Sequence, residues 1–395
     1  MDNFTYYTPT RVFFGRGEEC KVGEHIKAAG GTKVLIHYGG HSAEKTGLLD
    51  KVRKSLTDAG LLFVELGGVH ANPALSMVRK GAAFGIEQQV DFVLAVGGGS
   101  VMDSSKAIAH AIANPETDEW QFQTRKVPLT RSVGKGCILT LAAAGSEMSS
   151  SCVITNEETG EKRGFNSDFN RMSFAIEDPE LTFSVDRFQT GCGAVDISMH
   201  TMERYFGKGS DTDLTDAIAE AVMRENNKAG RICVTDPQNY EARATMMWAS
   251  SLAHNDLTGM GRAFFMQVHQ LEHEISGMYP RVAHGAGLSA LWASWARYVM
   301  PFNTMRFAKF AHNVWNIEMN FDHPEETARM GIQAQEDYYR QIGMPVSLRA
   351  LDIAEEDLPI LAHNCTFKGS RTLSGVKELT EEDILKIYQA ALAVQ

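Results

Sequence analysis

Short apolar runs rich in β-branched residues alternate with helical stretches and glycine turns over about the first 180 residues, which is the rhythm of an α/β domain. The runs Arg11–Phe14, Lys33–His37, Leu62–Leu66, Asp91–Val96, Cys137–Leu141 and Met172–Ile176 predict strands. Between them, Leu48, Leu49, Val52 and Leu56 recur at helical spacing, so Thr46–Asp58 reads as a helix that Gly60 stops. Pro73–Gln88 and Val101–Ala113 read the same way. After Asp178-Pro179 the alternating runs vanish and long helical patterns take over: Asp211–Val234, Tyr240–His254, Arg262–Gly277 and Glu381–Ala393. The pattern predicts an N-terminal α/β domain, 1–184, followed by an all-helical domain, 185–395, with the boundary near Ser184. No internal repeat interrupts this division.

Charge narrows the function. The 395 residues carry 38 Lys and Arg against 49 Asp and Glu, a net charge of −11, and no basic face is available for a nucleic acid. Six cysteines lie without a C-x-x-C pair or a short-range framework, which suits reduced thiols acting as small core residues. Met1 to Phe14 lacks the basic and apolar regions of a signal peptide, and no apolar run approaches the roughly 20 residues that span a bilayer. The expectation is a cytoplasmic protein without a membrane partner.

Candidate chemistry begins where the Asp91–Val96 run meets Gly97-Gly98-Gly99-Ser100 and a helix starts. A strand ending in consecutive glycines at a helix N-terminus bares backbone N–H groups at the positive end of the helix dipole, an arrangement that suits phosphate. A second glycine turn, Gly39-Gly40-His41-Ser42, follows the Lys33–His37 strand. Dinucleotide folds often place an acidic residue there for the ribose 2′-hydroxyl. Here glycines, the Ser42 hydroxyl and nearby Lys45 leave room and donors for a 2′-phosphate, so NADP(H) is expected over NAD(H). The G-x-G-x-x-G fingerprint is absent, so the nucleotide domain is Rossmann-like without the standard loop.

The helical half carries Asp196 with His200, His269 with His273, and then His284. Residues four apart share a helix face, so each pair presents two groups to one point. One carboxylate among imidazoles suits Fe²⁺ or Zn²⁺ and does not suit Ca²⁺ or Mg²⁺. His269-Gln270-Leu271-Glu272-His273 also fits the H-x-x-E-H pattern of inverted zinc peptidases, with Glu272 as general base, a reading that leaves the glycine turns and the Asp196/His200 pair unexplained.

Taken together, these residues resemble the metal-dependent, iron-containing (group III) alcohol dehydrogenases, in the branch of butanol dehydrogenases and NADPH-dependent aldehyde reductases. The resemblance spans essentially the whole chain. It rests on Tyr7 to Gly15, the Tyr38-Gly39-Gly40-x-Ser42 turn with Lys45-Thr46-Gly47, Asn72-Pro73, Gly97 to Asp103 with Lys106, Gly145-Ser146-Glu147-Met148, Asp178-Pro179 and the Asp/His/His/His set, in that order. It implies a dehydroquinate synthase-like fold, an α/β nucleotide domain followed by a helical metal domain, and a homodimer. It implies that Asp196, His200, His269 and His284 hold one divalent metal, Fe²⁺ or Zn²⁺, while His273 serves catalysis as a proton relay beside the nicotinamide. It also assigns Gly39, Gly40 and Ser42 to the adenosine end with its 2′-phosphate, and Gly97, Gly98, Gly99 and Ser100 to the pyrophosphate. Asp103 falls on the nicotinamide side, and Asn72, Thr140, Leu141, Lys162 and Leu181 fall on other cofactor contacts. Where the family often carries Thr and Asn or Thr, this chain has Ala144 and Ser149, so one or two contacts to the cofactor are expected to be missing or supplied by Ser146 and Ser149. The implied activity is hydride transfer between NADP(H) and a primary alcohol or aldehyde such as butanol or butanal. Glycerol dehydrogenase, a dehydroquinate synthase-like enzyme and the zinc hydrolase are the alternatives.

Overall fold

The computed structural model describes residues 1–209 and 211–394. They form two compact units, Tyr7–Ser184 and Val185–Gln395, with Met1–Tyr6 joining the second. The Asp2 N–H donates to the carbonyl of Gly261 (2.9 Å), which ties the N-terminal segment to the helical unit.

The first unit is built on a parallel sheet of β1 (Arg11–Phe14), β2 (Lys33–Tyr38), β3 (Leu62–Leu66), β4 (Phe92–Gly97), β5 (Gly134–Leu139) and β8 (Phe174–Glu177), in the order β1-β8-β5-β4-β2-β3. Its period of two is visible in the packing. Val34, Ile36, Phe92, Leu94 and Val96 face the helices Val22–Ala28 and Leu48–Asp58, whereas Leu35 and Val93 face Leu75–Glu87 and Gly99–Ala113. Helices on both faces explain why these runs are apolar throughout rather than alternating. The chain runs outward from β2 to β3, then returns past β2 to β4 and continues away from it. The strand order therefore reverses between β2 and β4, and in open α/β sheets ligands bind beyond the carboxyl ends of the strands at such a reversal.

An antiparallel hairpin, β6 (Ser151–Asn156) and β7 (Glu161–Asn166), packs Cys152, Ile154 and Phe165 onto the second face. The sequence pattern gives no strand here. The pairing runs from Ser151 opposite Asn166 to Asn156 opposite Glu161, and within the charged second strand Lys162 and Phe165 are buried. Ends of elements also move. Asp91 precedes β4 and takes the N–H groups of Thr32 (2.9 Å) and Lys33 (3.0 Å), and Thr140-Leu141 lie just beyond β5.

The second unit contains the helices Arg187–Tyr205, Asp213–Thr235, Tyr240–His254, Gln267–Met278, His284–Val299, Thr304–Trp315, Pro324–Gln341, Leu358–Cys365 and Glu381–Ala393. Arg187–Tyr205 is buried without a break from Thr190 to Tyr205, so its neighbours surround it. Trp292 and Trp295 are packing residues, set against Phe310 and Tyr339 and against Phe206 and Phe307. The helix predicted over 262–277 begins instead at Gln267. Gly261 turns through φ +78°, and Lys208 and Ala263 exchange backbone hydrogen bonds (2.7 and 2.9 Å), which holds this stretch extended. Thr380 and Asp383 form a capping box that starts Glu381–Ala393. Among the described residues no helix is long and apolar enough to cross a membrane.

Candidate functional site

In the helical unit, Asp196 and His200 share one face of Arg187–Tyr205, His269 and His273 one face of Gln267–Met278, and His284 opens its own helix. These elements bring the Asp196 carboxylate within reach of three imidazoles. From its Oδ1, His200 Nδ1 is 3.1 Å away, His269 Nε2 3.5 Å and His284 Nε2 3.9 Å. A tetrahedral Zn²⁺ with ligand bonds near 2.05 Å would separate its donors by about 3.3 Å, near the His269 Nε2 distance and somewhat short of the His284 one, whereas His200 Nδ1 also lies 3.0 Å from the Asp196 carbonyl of its own helix, so its distance measures ring placement. Asp196 Oδ1 and His269 Nε2 are both buried and make no hydrogen bond, an expensive arrangement unless a cation joins them. The chemistry of the donors and these two orphaned atoms fit a metal.

Electrostatics point the same way. Burial alone would raise the Asp196 carboxyl, but His200, His269 and His284 outweigh it and hold the group well below the ordinary carboxylate range. Burial would lower His269, but Glu203 and then Asp196 push it up to about 9. Burial, with the neighbouring His269, brings His200 down to about 4. The pocket thus holds an ionised carboxylate, which His269 offsets by favouring its protonated form. Asp196, His200 and His269 are buried, whereas the His284 side chain is 24% exposed and His273 is half-buried, so the cluster opens on the side of these two.

In the α/β unit, both glycine turns lie at the carboxyl ends of β2 and β4 and so flank the reversal in strand order. Gly98 caps the Gly99–Ala113 helix in an extended conformation without a side chain of its own to fill the cap. The helix's own ladder begins with Val101 and Met102 N–H on the Gly98 carbonyl (3.0 and 3.1 Å), so the N–H groups of Gly99 and Ser100 precede it. A Cβ on Gly97 would lie 2.5 Å from Val101 Cγ2, one on Gly98 3.1 Å from Leu141 Cβ and one on Gly99 2.9 Å from the Ala144 methyl. The loop is a cradle whose walls already touch glycine. Nothing lies within 4 Å of a Cβ on Gly40, and His41 and Ser42 are exposed at the start of the one-turn helix Ser42–Lys45.

Residues 9–179 match the model of the iron-containing alcohol dehydrogenases, and residues 190–392 match the C-terminal model of the same Fe-containing alcohol dehydrogenase family. The chain belongs to the iron-containing alcohol dehydrogenase family. It is 38% identical to NADH-dependent butanol dehydrogenase A of Clostridium acetobutylicum over 98% of this chain and 99% of that one. It is 34% identical to the NADPH-dependent aldehyde reductase YqhD of Escherichia coli over 99% and 100% of the two chains. The crystal structure of NADH-dependent butanol dehydrogenase A from Thermotoga maritima superposes with a TM-score of 0.95 at 36% identity, covering 99% of each chain. The protein is therefore an oxidoreductase of the alcohol dehydrogenase and aldehyde reductase class, which works with NAD(P)(H) and a metal.

In this iron-containing alcohol dehydrogenase the remaining sequence candidates divide. Thr140 and Leu141 continue β5 beside the glycine loop, with the Thr140 N–H on the Gly97 carbonyl (3.1 Å). Lys162 Nζ donates to Asn72 Oδ1 (3.0 Å), which joins two candidates directly. Leu181 packs against the apolar cluster under β2. Asp103 and Ser149 turn into the protein. Asp103 accepts from Ser146 Oγ (2.7 Å) and the Val153 N–H (3.0 Å), while the Ser149 hydroxyl accepts from Lys106 Nζ (3.4 Å) and the Ser151 N–H (3.2 Å). Fully buried Lys106 also donates to Ser146 Oγ (2.8 Å) and the Ser151 carbonyl (2.7 Å), so it is the post on which this segment hangs.

Sequence reasoning missed Glu203 altogether and gave Glu272 a different task. Glu203 accepts from the N–H of Val268 and His269 and from His269 Nδ1, and Glu272 pairs with His284 Nδ1. Both carboxylates are fully buried. The alternative H-x-x-E-H reading, in which Glu272 serves as a base, has to share that carboxylate with the His284 ring. The signal that it belongs under His284 is Gly287, where a Cβ would lie 2.7 Å from Glu272 Cγ.

Proposed function

We propose that this enzyme interconverts a primary aldehyde such as butanal and its alcohol, using NADP(H) in preference to NAD(H), with one Fe²⁺ or Zn²⁺ held by Asp196, His200, His269 and His284. The observation that carries the reading is the convergence of those side chains about Asp196 Oδ1, which is itself buried and without a hydrogen bond. Relatives named for butanol dehydrogenation and for aldehyde reduction support the substrate class.

When bound, the metal supplies Lewis acidity towards a carbonyl oxygen and the nucleotide supplies the hydride. The protein's own contribution is binding, orientation and proton handling. The N–H groups of Gly99 and Ser100 and the helix dipole hold the pyrophosphate, and Gly39, Gly40 and Ser42 receive the adenosine end. No carboxylate stands in Gly39–Ser42 to repel a 2′-phosphate, which supports NADP(H) even though relatives carry either cofactor name. Asn72, Thr140, Leu141, Lys162 and Leu181 complete the cofactor's surroundings; Asp103 and Ser149 act by holding the loop through Lys106 and Ser146. His273, on the open side of the cluster, delivers a proton to the nascent alkoxide from a ring nitrogen. A homodimer in the cytoplasm is the proposed working form.

The test is metal analysis by mass spectrometry on protein purified without added metal, then NADPH oxidation with butanal before and after chelation and with Fe²⁺ or Zn²⁺ restored. Chelator-sensitive NADPH oxidation is expected. Full metal loading with no turnover of any aldehyde would overturn the reading, and a higher kcat/KM with NADH would overturn the cofactor preference. Light scattering of the eluted protein checks the dimer.

A further inference from the structure

The candidate ligands do not reach the cluster equally well anchored. Asp196 and His200 sit on one buried helix, where His200 Nδ1 also lies 3.0 Å from the Asp196 carbonyl, so their mutual placement is fixed by that helix. His269 and His284 arrive from two other helices. An imidazole on a separate element keeps freedom about its side-chain torsions unless its second nitrogen is tied down. In both cases a fully buried glutamate does so. Glu203 takes the Nδ1 of His269 and Glu272 takes the Nδ1 of His284, and both rings then direct Nε2 at Asp196 Oδ1 (3.5 and 3.9 Å).

We infer that Glu203 and Glu272 are positioning residues that set the affinity and geometry of the metal site by fixing the tautomer and direction of His269 and His284. A carboxylate on Nδ1–H leaves Nε2 as the lone-pair nitrogen and makes it a stronger donor. Charge adds to this. Asp196, Glu203 and Glu272 place three carboxylates around three imidazoles in a buried site, an excess of negative charge that a divalent cation offsets. The two glutamates also differ. Glu203 lies one turn beyond His200 on the same helix and caps the start of Gln267–Met278 through the Val268 and His269 N–H groups, so it joins two ligand-bearing helices. Glu272 lies on the same helix as His269, and the absence of a side chain on Gly287 gives it room.

The inference rests on the metal reading proposed above. Its test is titration of the metal-free protein with Co²⁺ alone, read by the visible ligand-field bands and by competition with a chelator, for wild type, Glu203→Gln and Glu272→Gln. Glutamine keeps an acceptor for Nδ1–H and removes the charge. Each variant is expected to bind Co²⁺ about 10–100-fold more weakly, with altered band intensity. Wild-type affinity and spectrum in both variants would overturn the inference while leaving the metal reading intact. Failure of the wild type to bind Co²⁺ would overturn both. Should Glu203→Gln fail to fold because its cap is lost, Glu272→Gln decides the matter.

Discussion

The proposed nucleotide site is built from backbone, and the proposed metal site is built from side chains. In the first, Gly97, Gly98 and Gly99 serve by lacking atoms, and the groups that face a ligand are the N–H groups every residue has. In the second, Asp196, His200, His269 and His284 are set by three helices, and two further buried carboxylates hold two of the rings. A backbone site tolerates almost any change except added volume. A side-chain site tolerates added volume at its edge but no change in chemistry. The two halves should therefore fail in different ways, and each failure can be measured.

The largest effect is expected from His200→Ala. Loss of one proposed ligand removes the metal, and with it the charge stabilisation on the developing oxyanion, so turnover falls by at least about 10²–10³-fold. NADPH binding, followed by its fluorescence, stays close to wild type because the glycine turns belong to the other unit. Loss of nucleotide binding in this variant would break the division drawn above. His273→Ala should leave metal content unchanged, slow turnover by about 10²-fold and shift the pH profile of kcat. If metal disappears with His273, then that ring is a ligand and its proton-transfer role is wrong.

A second contrast concerns buried carboxylates. In the helical half, burial would raise Asp216, yet hydrogen bonds from Arg306 and the nearby Arg262 hold it down at about 2. Its folded value lies below its unfolded one, so its contribution is whole above about pH 4 and is lost as pH falls towards 2. In the α/β half, burial raises Asp103 despite Lys106 and Ser146. Its sign is opposite: the ionised group costs stability at neutral pH, and that cost fades as pH falls through the folded value. Asp216→Asn should cost about 3–5 kcal/mol at neutral pH, because buried Arg262 and partly buried Arg306 lose the carboxylate they share. Asp103→Asn should cost less. Denaturant titration of both variants checks the order, and equal losses would remove the electrostatic distinction.

The contrast also explains what could be read from the sequence. β2, β4, the helix at Gly99 and both glycine turns were legible because a strand, a turn and a helix start are local events spanning a few residues. The spacing of Asp196/His200 and His269/His273 was legible for the same reason, since each pair is one helical turn. Glu203 left no such trace. It lies far in sequence from His269, and only the packing of two helices makes it a cap and a ring anchor. Glu272 was visible only through the H-x-x-E-H alternative, since a motif of neighbouring residues cannot show that its partner is His284 on the next helix. The β6–β7 hairpin was hidden by its charged second strand, and the bonds of Asp103 to Ser146 and of Ser149 to Lys106 by the many residues that separate each pair in sequence.

The smallest and sharpest effect is expected inside the glycine turns themselves. Both are glycine-rich, and sequence alone gives no reason to rank them. The structure does. A methyl on Gly97 would sit 2.5 Å from Val101 Cγ2, and Val101 lies in the first turn of the helix whose N–H groups form the cradle, so the helix start must shift to admit it. A methyl on Gly40 meets nothing within 4 Å and needs no left-handed backbone. Gly97→Ala should therefore cost about 1–3 kcal/mol of stability and weaken NADPH binding with it. Gly40→Ala should leave the melting temperature unchanged, so any loss of NADPH affinity it causes reports contact with the nucleotide rather than strain in the fold. Equal stability losses in the two variants would mean that the turn after β2 is as tightly built as the loop after β4, and the ranking would fail.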